Sequence, residues 1–391
     1  MARGEQWKSL RKFLSSTFTS ARIKKMVQPI EHQVDQLVEH IRGRMKGSPS
    51  AVINMKELYQ SLTIDVIAKC AFGIEVNSVQ PSGINKSSKF YSCAIETFSS
   101  FVFSNRWAAY FFNLFFNIFP DALPASVIFP QKQWDYLNNT TTSVIKKRDE
   151  LKMPDQGDFI DRLRTMTHKI RECGQPTLDG LSEEMVVSQG IIFLAAGFET
   201  TANTLGSLTY NLAKHPQIQQ KCYDEIQDVI SNKNVINHET ISELHYLEAC
   251  IKENLRLFPP IIRNQRYCNR DTEVEGLKIK KGMAIVVPIY VLHKNPEIYG
   301  ENVYQFEPER FLNDASKEQI DNHLFHSFGG GPKICLGMRF AMEEMKITLA
   351  KLIRNYEIIE ASNITNLKFD KGNPFLLSYP EMKVKLQERG P

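Results

Sequence analysis

The sequence of 391 residues is 42% hydrophobic and 24% charged, an ordinary composition for a globular protein with a large core. A net charge of +4 is too small to indicate nucleic-acid binding, and seven scattered cysteines indicate a reducing compartment rather than a disulfide framework. No repeat, low-complexity stretch or Gly/Ser linker divides the chain, so we predict a single domain over residues 1–391.

The first predicted helix carries Trp7 and Arg11, which lie one helical turn apart on the same face. Basic residues surround them, and a solvated helix surface is the usual explanation of such a run. Both side chains are also hydrogen-bond donors, and an arginine can bind a carboxylate through two bonds. The pair is therefore only a weak candidate for an anion site. The basic residues nearby are Lys8, Lys12, Arg22, Lys24 and Lys25.

Residues 52–73 are predicted to form a further helix, and residues 77–89 a polar loop. Residues 98–130 are unusually rich in aromatic side chains, which indicates either deep burial or insertion into a membrane surface. Within them, the uncharged run at residues 107–120 is too short to span a bilayer. We recognise no signal peptide or transmembrane helix in this sequence.

A loop is predicted at residues 168–181, followed by a long helix with Ser182 as its N-cap. Glutamates in its first turn favour this start, because they complement the helix dipole. The helix is predicted to run to about His215, since Pro216 cannot continue it. At about 1.5 Å per residue it is long enough to cross a domain.

The middle of this helix, residues 196–201, reads Ala-Gly-Phe-Glu-Thr-Thr. A glycine beside threonines can loosen a helix, because hydroxyl groups compete for backbone carbonyls. Glu199 can then pass protons, and the Thr200 hydroxyl can donate one. A closely packed glycine with satisfied threonines explains the hexapeptide equally well.

Glu253 and Arg256 lie three residues apart on a helix predicted at about residues 246–258, and Arg310 follows in a Pro-Glu-Arg-Phe stretch. Considered alone, the first two form a surface ion pair of little energetic value. The chain then leaves the helix over residues 259–270, and a pair of strands is predicted around Gly276. The histidines are assigned to loop or core rather than to a metal, because no carboxylate or cysteine cluster accompanies them. They are His293, His323 and His326.

Residues 328–337 read FGGGPKICLG and lead into a helix that begins at Met338. Glycines allow close backbone approach, and the amides at a helix start stabilise a thiolate at Cys335. A lone thiolate suits haem iron, although a single cysteine is more often a small buried hydrophobe. A phosphate loop is excluded because Lys333 is not followed by Ser or Thr. Zinc is disfavoured because no second cysteine lies at ligand spacing.

Four residues of this loop, Phe328, Gly331, Cys335 and Gly337, match the Phe-x-x-Gly-x-Arg-x-Cys-x-Gly haem-binding loop of cytochromes P-450. Lys333 stands where the arginine is usual. With stretches such as FTSARIKKMV, AGFETT and LRLFPP, the whole chain resembles the drug- and steroid-oxidising subfamily 3A. The resemblance implies a mainly α fold, with small β-sheets and haem wedged between the long helix and the Cys335 loop. It also implies an anchor and first helices and strands upstream of Met1, so we expect a truncated form or an incomplete gene model.

The resemblance assigns roles to individual residues. Cys335 is the axial ligand of haem iron, and Glu199 and Thr200 deliver protons. The cofactor-binding residues are Trp7, Arg11, Ala196, Arg266, Phe328, Lys333, Cys335 and Gly337. The structural triad on the thiolate side is Glu253, Arg256 and Arg310. The substrate-lining residues are Ala195, Ile261, Ile262, Arg263 and Phe375, the last on a hairpin turn at residues 374–377.

The function implied is that of a haem-thiolate monooxygenase, which inserts one oxygen atom of O2 into lipophilic substrates such as steroids and xenobiotics. Electrons come from NADPH through cytochrome P-450 reductase, which docks on basic residues near the start of the chain. The implied location is the cytoplasmic face of the endoplasmic reticulum membrane, the microsomal fraction. A haem-thiolate isomerase is an alternative, but the intact Glu199–Thr200 pair argues against it. The remaining hypotheses are a truncated, non-catalytic product and a helical interaction protein without cofactor.

Overall fold

The computed structural model describes residues 4–99, 131–173, 181–233, 236–312, 324–361, 370 and 376–390. The predictions for the aromatic-rich residues 100–130, for His323 and for Phe375 lie outside the described residues. Most of the described residues are helical, as the sequence predicted. The helices are α1 Gly4–Ser15, α2 Ser20–Arg44, α3 Met55–Ile67, α4 Lys89–Ser99, α5 Gln131–Glu150, α6 Phe159–Cys173, α7 Glu183–Val187, α8 Gln189–Lys214, α9 Pro216–Lys233, α10 His238–Ser242, α11 His245–Leu257, α12 Ile289–Leu292, α13 Pro296–Tyr299 and α14 Met338–Asn355.

Small antiparallel sheets lie at the edges of this helical body. The strands are β1 Ser50–Asn54, β2 Val79–Gln80, β3 Gly83–Ile84, β4 Asn264–Tyr267, β5 Thr272–Val274, β6 Leu277–Ile279, β7 Ala284–Val287, β8 Tyr356–Glu360 and β9 Lys383–Glu388. One sheet has three strands in the order β1-β9-β8, and the pairs β2-β3, β4-β7 and β5-β6 form two-stranded sheets. Short single turns of other helix types occupy Ser16–Phe18, Ala68–Phe72, Pro308–Phe311 and Gly331–Lys333.

The prediction of one helix over residues 52–73 is wrong at its start. Residues up to Asn54 form β1, which pairs with β9 so that Ser50 faces Gln387 and Asn54 faces Lys383. The partner strand lies near the other end of the chain, so the local pattern could not reveal it. From Met55 the helix is present as predicted, and its last turn ends at Gly73, whose φ of 66° suits glycine.

The predicted strand pair around Gly276 is confirmed as the hairpin β5–β6. Glu275 and Gly276 both have positive φ, as the two-residue turn favoured in hairpins requires. The predicted loop at residues 77–89 also contains the small hairpin β2–β3. Helix α11 lies within one residue of its predicted bounds.

Helix α8 forms the centre of the molecule, and α3 packs along it. Its C-terminal half is buried on every side, including Leu205, Leu208 and Leu212. The predicted single helix from Ser182 is interrupted at Ser188, which separates α7 from α8. Ser182 is the N-cap as predicted, because its hydroxyl accepts a hydrogen bond from the Met185 N–H.

The predicted loosening at Gly197 is not observed, since α8 continues through it. A Cβ placed on Gly197 would lie 2.5 Å from Cδ1 of Ile67. Glycine is therefore needed there to let α3 approach α8 closely. The Thr200 hydroxyl does bond to a backbone carbonyl, that of Ala196, at 2.7 Å.

Candidate active site

The Cys335 loop is held in shape by its own backbone. The N–H of Cys335 donates to the carbonyl of Phe328 at 2.7 Å, and the N–H of Ile334 donates to that of Gly331. Gly329 and Gly331 both have φ in the left-handed region, at 78° and 63°. The loop closes as a tight ring that delivers the cysteine directly before α14, whose N-cap is Gly337.

Opposing effects act on the Cys335 thiol. The residue is exposed to solvent, yet desolvation by the surrounding protein raises its pKa. The backbone N–H of Gly337 and the positive charge of Arg11 act in the opposite direction on that pKa. Both favour the thiolate, the form that binds a metal. The predicted interaction of the Gly337 N–H with the sulfur is therefore present in the geometry.

Three residues predicted to bind carboxylates, Trp7, Arg11 and Arg266, contact this loop, and a fourth, Lys333, belongs to it. Arg11 donates to the carbonyl of Ile334 at 2.6 Å, and Arg266 donates to that of Gly330 at 3.4 Å. The ammonium group of Lys333 lies 4.9 Å from the ring centre of Trp7. Helix α1 and strand β4 thus bring donor groups to one rim of the Cys335 loop. Lys333 interacts there with an aromatic face, as a single point charge rather than a two-pronged donor.

One stripe in the N-terminal half of α8 is open, although most of this core helix is buried. Ile192 is 49% exposed, Ala196 is exposed, and Thr200 is partly exposed. These residues follow one another at four-residue spacing and share one face. The small side chain of Ala196 leaves a flat surface in the middle of the fold. A flat apolar group against this stripe would cover it.

Phe18 connects the Cys335 loop to that helix. A Cβ on Gly337 would lie 3.7 Å from Cε1 of Phe18. The Phe18 ring stacks on Phe193 of α8, with ring centres 5.4 Å apart. Because Phe193 is the neighbour of Ile192 in the chain, the open stripe and the cysteine loop belong to one region of the molecule.

Glu199 points away from this stripe into a buried polar cluster. It forms an ion pair with Lys56 of α3, and both side chains are less than a tenth exposed. The amides of Gln60 and Asn203 donate to its two oxygens at 2.8 and 3.2 Å. Burial lowers the pKa of Lys56, and the charge of Glu199 opposes this effect. The sequence pattern indicated Glu199 but not Lys56, which belongs to no motif.

Glu253 and Arg256 form a fully buried, two-pronged ion pair, with both nitrogen–oxygen distances at 2.7 Å. The Glu253 carboxylate also accepts the N–H of Glu307 at 3.0 Å, and Arg310 lies 3.5 Å from it. The three predicted triad residues are thus brought together. Arg256 further donates to three backbone carbonyls, those of His293, Val303 and Gln305. These bonds fix the backbone of the segments that contain His293, Val303 and Gln305.

His293 links the triad to the Cys335 loop. Its carbonyl accepts from Arg256 at 2.8 Å, and its Nε2 accepts the N–H of His326 at 2.9 Å. The carbonyl of His326 in turn accepts the N–H of Gly329 within the loop at 2.8 Å. The imidazole is buried and stacks on Phe325, so its assignment as a core histidine is confirmed. Its bridging role was missed, because no local pattern indicates it.

The predicted substrate-lining residues lie beside the C-terminal segment. Leu376 forms a β-bridge with Ile261, and the N–H of Leu377 donates to the carbonyl of Pro260 at 2.8 Å. Ile262 and Arg263 continue the same segment and are half-buried. Ala195 of α8 is also half-buried.

These residues fit a haem group. The exposed sulfur of Cys335 can supply one axial ligand, and it is the kind that suits iron in a porphyrin. The open stripe at Ala196 offers a flat apolar surface, and the rim formed by Trp7, Arg11 and Lys333 offers donors for carboxylates. Among the described residues, no cluster of three or more His, Cys, Asp or Glu is present that could hold a metal ion by itself.

Comparison with known proteins agrees with this geometry. The family model described as Cytochrome P450 matches residues 1–386. The chain is similar to cytochrome P450 3A29 of Sus scrofa, at 34% identity over 361 residues, which are 91% of this chain and 68% of that protein. It is similar to cytochrome P450 3A7 of Homo sapiens, at 33% identity with the same two coverages. It is also similar to cytochrome P450 3A6 of Oryctolagus cuniculus, at 33% identity over 98% of this chain and 74% of that protein.

Proposed function

Because the chain belongs to the cytochrome P450 family and is a haem monooxygenase, we propose that it oxidises steroids and other lipophilic molecules with electrons from an NADPH-dependent reductase. One observation carries the proposal: Cys335 is exposed in a loop whose rim holds Trp7, Arg11 and Lys333. This arrangement suits a haem-thiolate centre. Bound haem supplies the oxygen-activating redox chemistry, which a thiolate ligand favours by donating electron density.

We assign Cys335 as the axial ligand, with the Gly337 N–H holding its sulfur. Arg11 and Arg266 contact backbone carbonyls of the loop, and their remaining N–H groups would be available to bind the haem carboxylates. Trp7 and Lys333 complete the same rim. Phe328 of the loop and Ala196 of α8 would hold the haem as well.

Thr200 and Glu199 hold the protons of the reaction. The Thr200 hydroxyl donates to the Ala196 carbonyl, and a rotation about its χ1 turns that proton toward the open stripe of α8. Glu199 is one residue earlier and can exchange a proton with Lys56, whose pKa burial lowers. Gln60 and Asn203 keep the Glu199 carboxylate in place. The buried cluster around Glu199 and Lys56 can therefore supply protons to the Thr200 hydroxyl.

The substrate is proposed to lie over Ile261 and Ile262, next to Ala195 and below the C-terminal segment that carries Phe375. The β-bridge between Ile261 and Leu376 holds the C-terminal segment against the residues around Ile261. Apart from Arg263, the proposed lining is apolar, and an apolar lining binds by area rather than by specific hydrogen bonds. This favours bulky lipophilic substrates over small polar ones.

The proposed location is the cytoplasmic face of the endoplasmic reticulum membrane. Within the described residues, the stretch Glu183–Lys214 is long and apolar enough to cross a bilayer. Half of its apolar window is buried inside the fold, and α8 forms the molecular centre. We therefore attribute the apolar character of this stretch to the core.

The experiment is a reconstitution of the purified protein with reductase, NADPH, a panel of steroids and ¹⁸O2. We expect a product that carries one labelled oxygen, formed only when NADPH is present. A product without label, or one formed without NADPH, would mean an isomerase instead. No product from any substrate by a protein with the correct haem spectrum would contradict the proposed reductase-driven activity.

Thr200 offers a matched pair of variants in the same assay. Thr200→Ser keeps the hydroxyl, whereas Thr200→Val removes it at nearly constant volume. We expect Thr200→Val to lower product formed per NADPH by about 100-fold, the lower end of the usual range for a positioned proton donor. Thr200→Ser should retain most of it.

A further inference from the structure

Cys222 and Cys250 lie in direct contact inside the protein. Their sulfur atoms are 3.5 Å apart, and both side chains are fully buried. Cys222 belongs to α9 and Cys250 to α11, so the contact joins two helices. Other described thiols behave differently: those of Cys70 and Cys268 point to backbone carbonyls. No local pattern indicates the pair, since the two cysteines lie 28 positions apart in the chain.

The two helices are held firmly in this register. The carboxylate of Glu225 accepts the N–H groups of Tyr246 and Leu247 at 2.6 and 3.0 Å, which caps the start of α11 from α9. Glu225 lies one turn after Cys222, and Tyr246 lies one turn before Cys250. The hydrogen bonds of Glu225 thus fix the position of the two helices next to the sulfur contact, so that Cys222 and Cys250 remain adjacent.

We propose that Cys222 and Cys250 are a modification site, at which a peroxide converts the two thiols into a disulfide that links α9 to α11. A disulfide has a sulfur–sulfur distance of about 2.0 Å, so the atoms must approach by about 1.5 Å, which side-chain rotation can provide. The inference does not depend on the proposed substrates or reductase.

The chemistry balances with hydrogen peroxide as the oxidant. One thiolate sulfur attacks a peroxide oxygen, the O–O bond breaks, and a sulfenic acid and one water result. The second sulfur then attacks the sulfenic sulfur, the S–O bond breaks, and the hydroxyl leaves with a proton as a second water. Two thiols and one peroxide therefore give one disulfide and two waters, and the two electrons pass from the sulfurs to the peroxide oxygens.

Burial determines the rate of this reaction. It raises the pKa of Cys250, so the group is a protonated and weakly reactive thiol in the closed fold. The first step is therefore slow and takes place when the helix contact opens. The second step is fast once the contact closes again, because the partner sulfur is then adjacent. This order of rates favours the disulfide over further oxidation of a single sulfur.

The disulfide would fix the helix that carries the buried triad. Cys250 lies one turn before Glu253 on α11, and Glu253 binds Arg256 and the Glu307 N–H. Linking α11 to α9 restrains the unfolded chain and should raise the temperature of thermal unfolding. The Cys335 loop is connected to α11 through His293 and His326 and through Ser327, whose hydroxyl donates to the carbonyl of Leu255 at 2.8 Å. Both connections lie after Cys250 in α11, so the haem spectrum should be retained.

The test treats the haem-loaded protein with hydrogen peroxide, quenches it in acid, alkylates free thiols in urea and digests it with trypsin without reductant. We expect the peptides 222–233 and 234–252 to appear as one species, lighter than their sum by two hydrogen atoms. Dithiothreitol should separate them. The carbon monoxide spectrum before and after treatment checks that the fold is retained.

Variants separate the pair from general oxidation. Cys222→Ser should abolish the joined species, and Cys250→Ala serves if that variant fails to fold. Cys70→Ser removes an equally buried cysteine and should leave the joined species unchanged. Recovery of both cysteines as alkylated thiols, under conditions that oxidise the more accessible Cys268, would overturn the proposal. So would their separate conversion to sulfonic acids.

Discussion

The buried imidazole of His293 should make the folded protein lose stability as the pH falls below about 6.5. Its Nε2 accepts the N–H of His326, and its Nδ1 is buried and has no hydrogen-bond partner among the described residues. Burial, with the nearby charge of Arg256, lowers the pKa of His293 from 6.5 to about 3. A protonated ring would also lose the lone pair that holds His326.

The magnitude follows from the difference between the two pKa values. The unfolded chain takes up the proton near pH 6.5, whereas the folded chain does so only near pH 3. The stability contribution is therefore fully present above pH 6.5 and is lost as the pH falls toward 3. At pH 5 the loss is about 2 kcal/mol, and at pH 7 it is about 0.2 kcal/mol.

The assay compares urea unfolding of the wild type and of His293→Gln at pH 7 and pH 5. Glutamine retains an acceptor for the His326 N–H but cannot be protonated. We expect the wild type to lose about 2 kcal/mol more than the variant between these pH values. Carboxylates titrate in both proteins, so their contribution cancels in the difference.

A control variant, His32→Gln, replaces an exposed histidine and should leave the pH dependence unchanged. Tryptophan fluorescence and the haem absorbance must give the same transition for the two-state treatment to hold. Equal losses in the wild type and in His293→Gln would refute the reasoning, because His293 would then not be the neutral link between the triad and the cysteine loop.

Substitutions of Lys333, Arg256 and Lys56 test other parts of the site. Lys333→Arg should slow haem dissociation by about 10-fold, since a guanidinium forms two charged hydrogen bonds where the ammonium forms one; an unchanged rate would contradict this. Arg256→Met should cost about 3–5 kcal/mol of stability, because it leaves the Glu253 carboxylate buried without its partner, while Lys8→Met at an exposed pair should cost under about 1 kcal/mol. Lys56→Met should destabilise the protein at neutral pH by about as much as Arg256→Met, because it leaves the Glu199 carboxylate buried without its partner. Lys56→Arg keeps the positive charge and should retain most of the stability. A purely steric role of Lys56 would not give this difference between the two variants.

The sequence predicts much of the helical framework because its signals are local. Ser182 caps its helix, α11 occupies its predicted residues, and the hairpin forms at Gly276. Each of these rests on residues a few positions apart, where spacing alone determines which side chains meet. The Cys335 loop is predictable for the same reason, since its glycines and its cysteine occupy one continuous stretch.

What the sequence misses depends on contacts between distant residues. Strand β1 forms because β9 pairs with it, and Glu199 has a cationic partner because Lys56 lies on α3, which packs along α8. Gly197 was expected to loosen α8, whereas its lack of a Cβ admits Ile67. His293 shows the same limit: its neighbours in the chain do not indicate that its ring will accept a hydrogen bond 33 residues away.

The central claim, that Cys335 is the axial ligand of a bound haem, is tested most directly by the absorption spectrum of the purified protein after reduction with dithionite and addition of carbon monoxide. We expect the strongly red-shifted Soret band of a thiolate-ligated haem, and its loss in Cys335→Ser. A band at the position of histidine-ligated or thiol-ligated haem in the wild type, or a red-shifted band that persists in Cys335→Ser, would contradict that assignment.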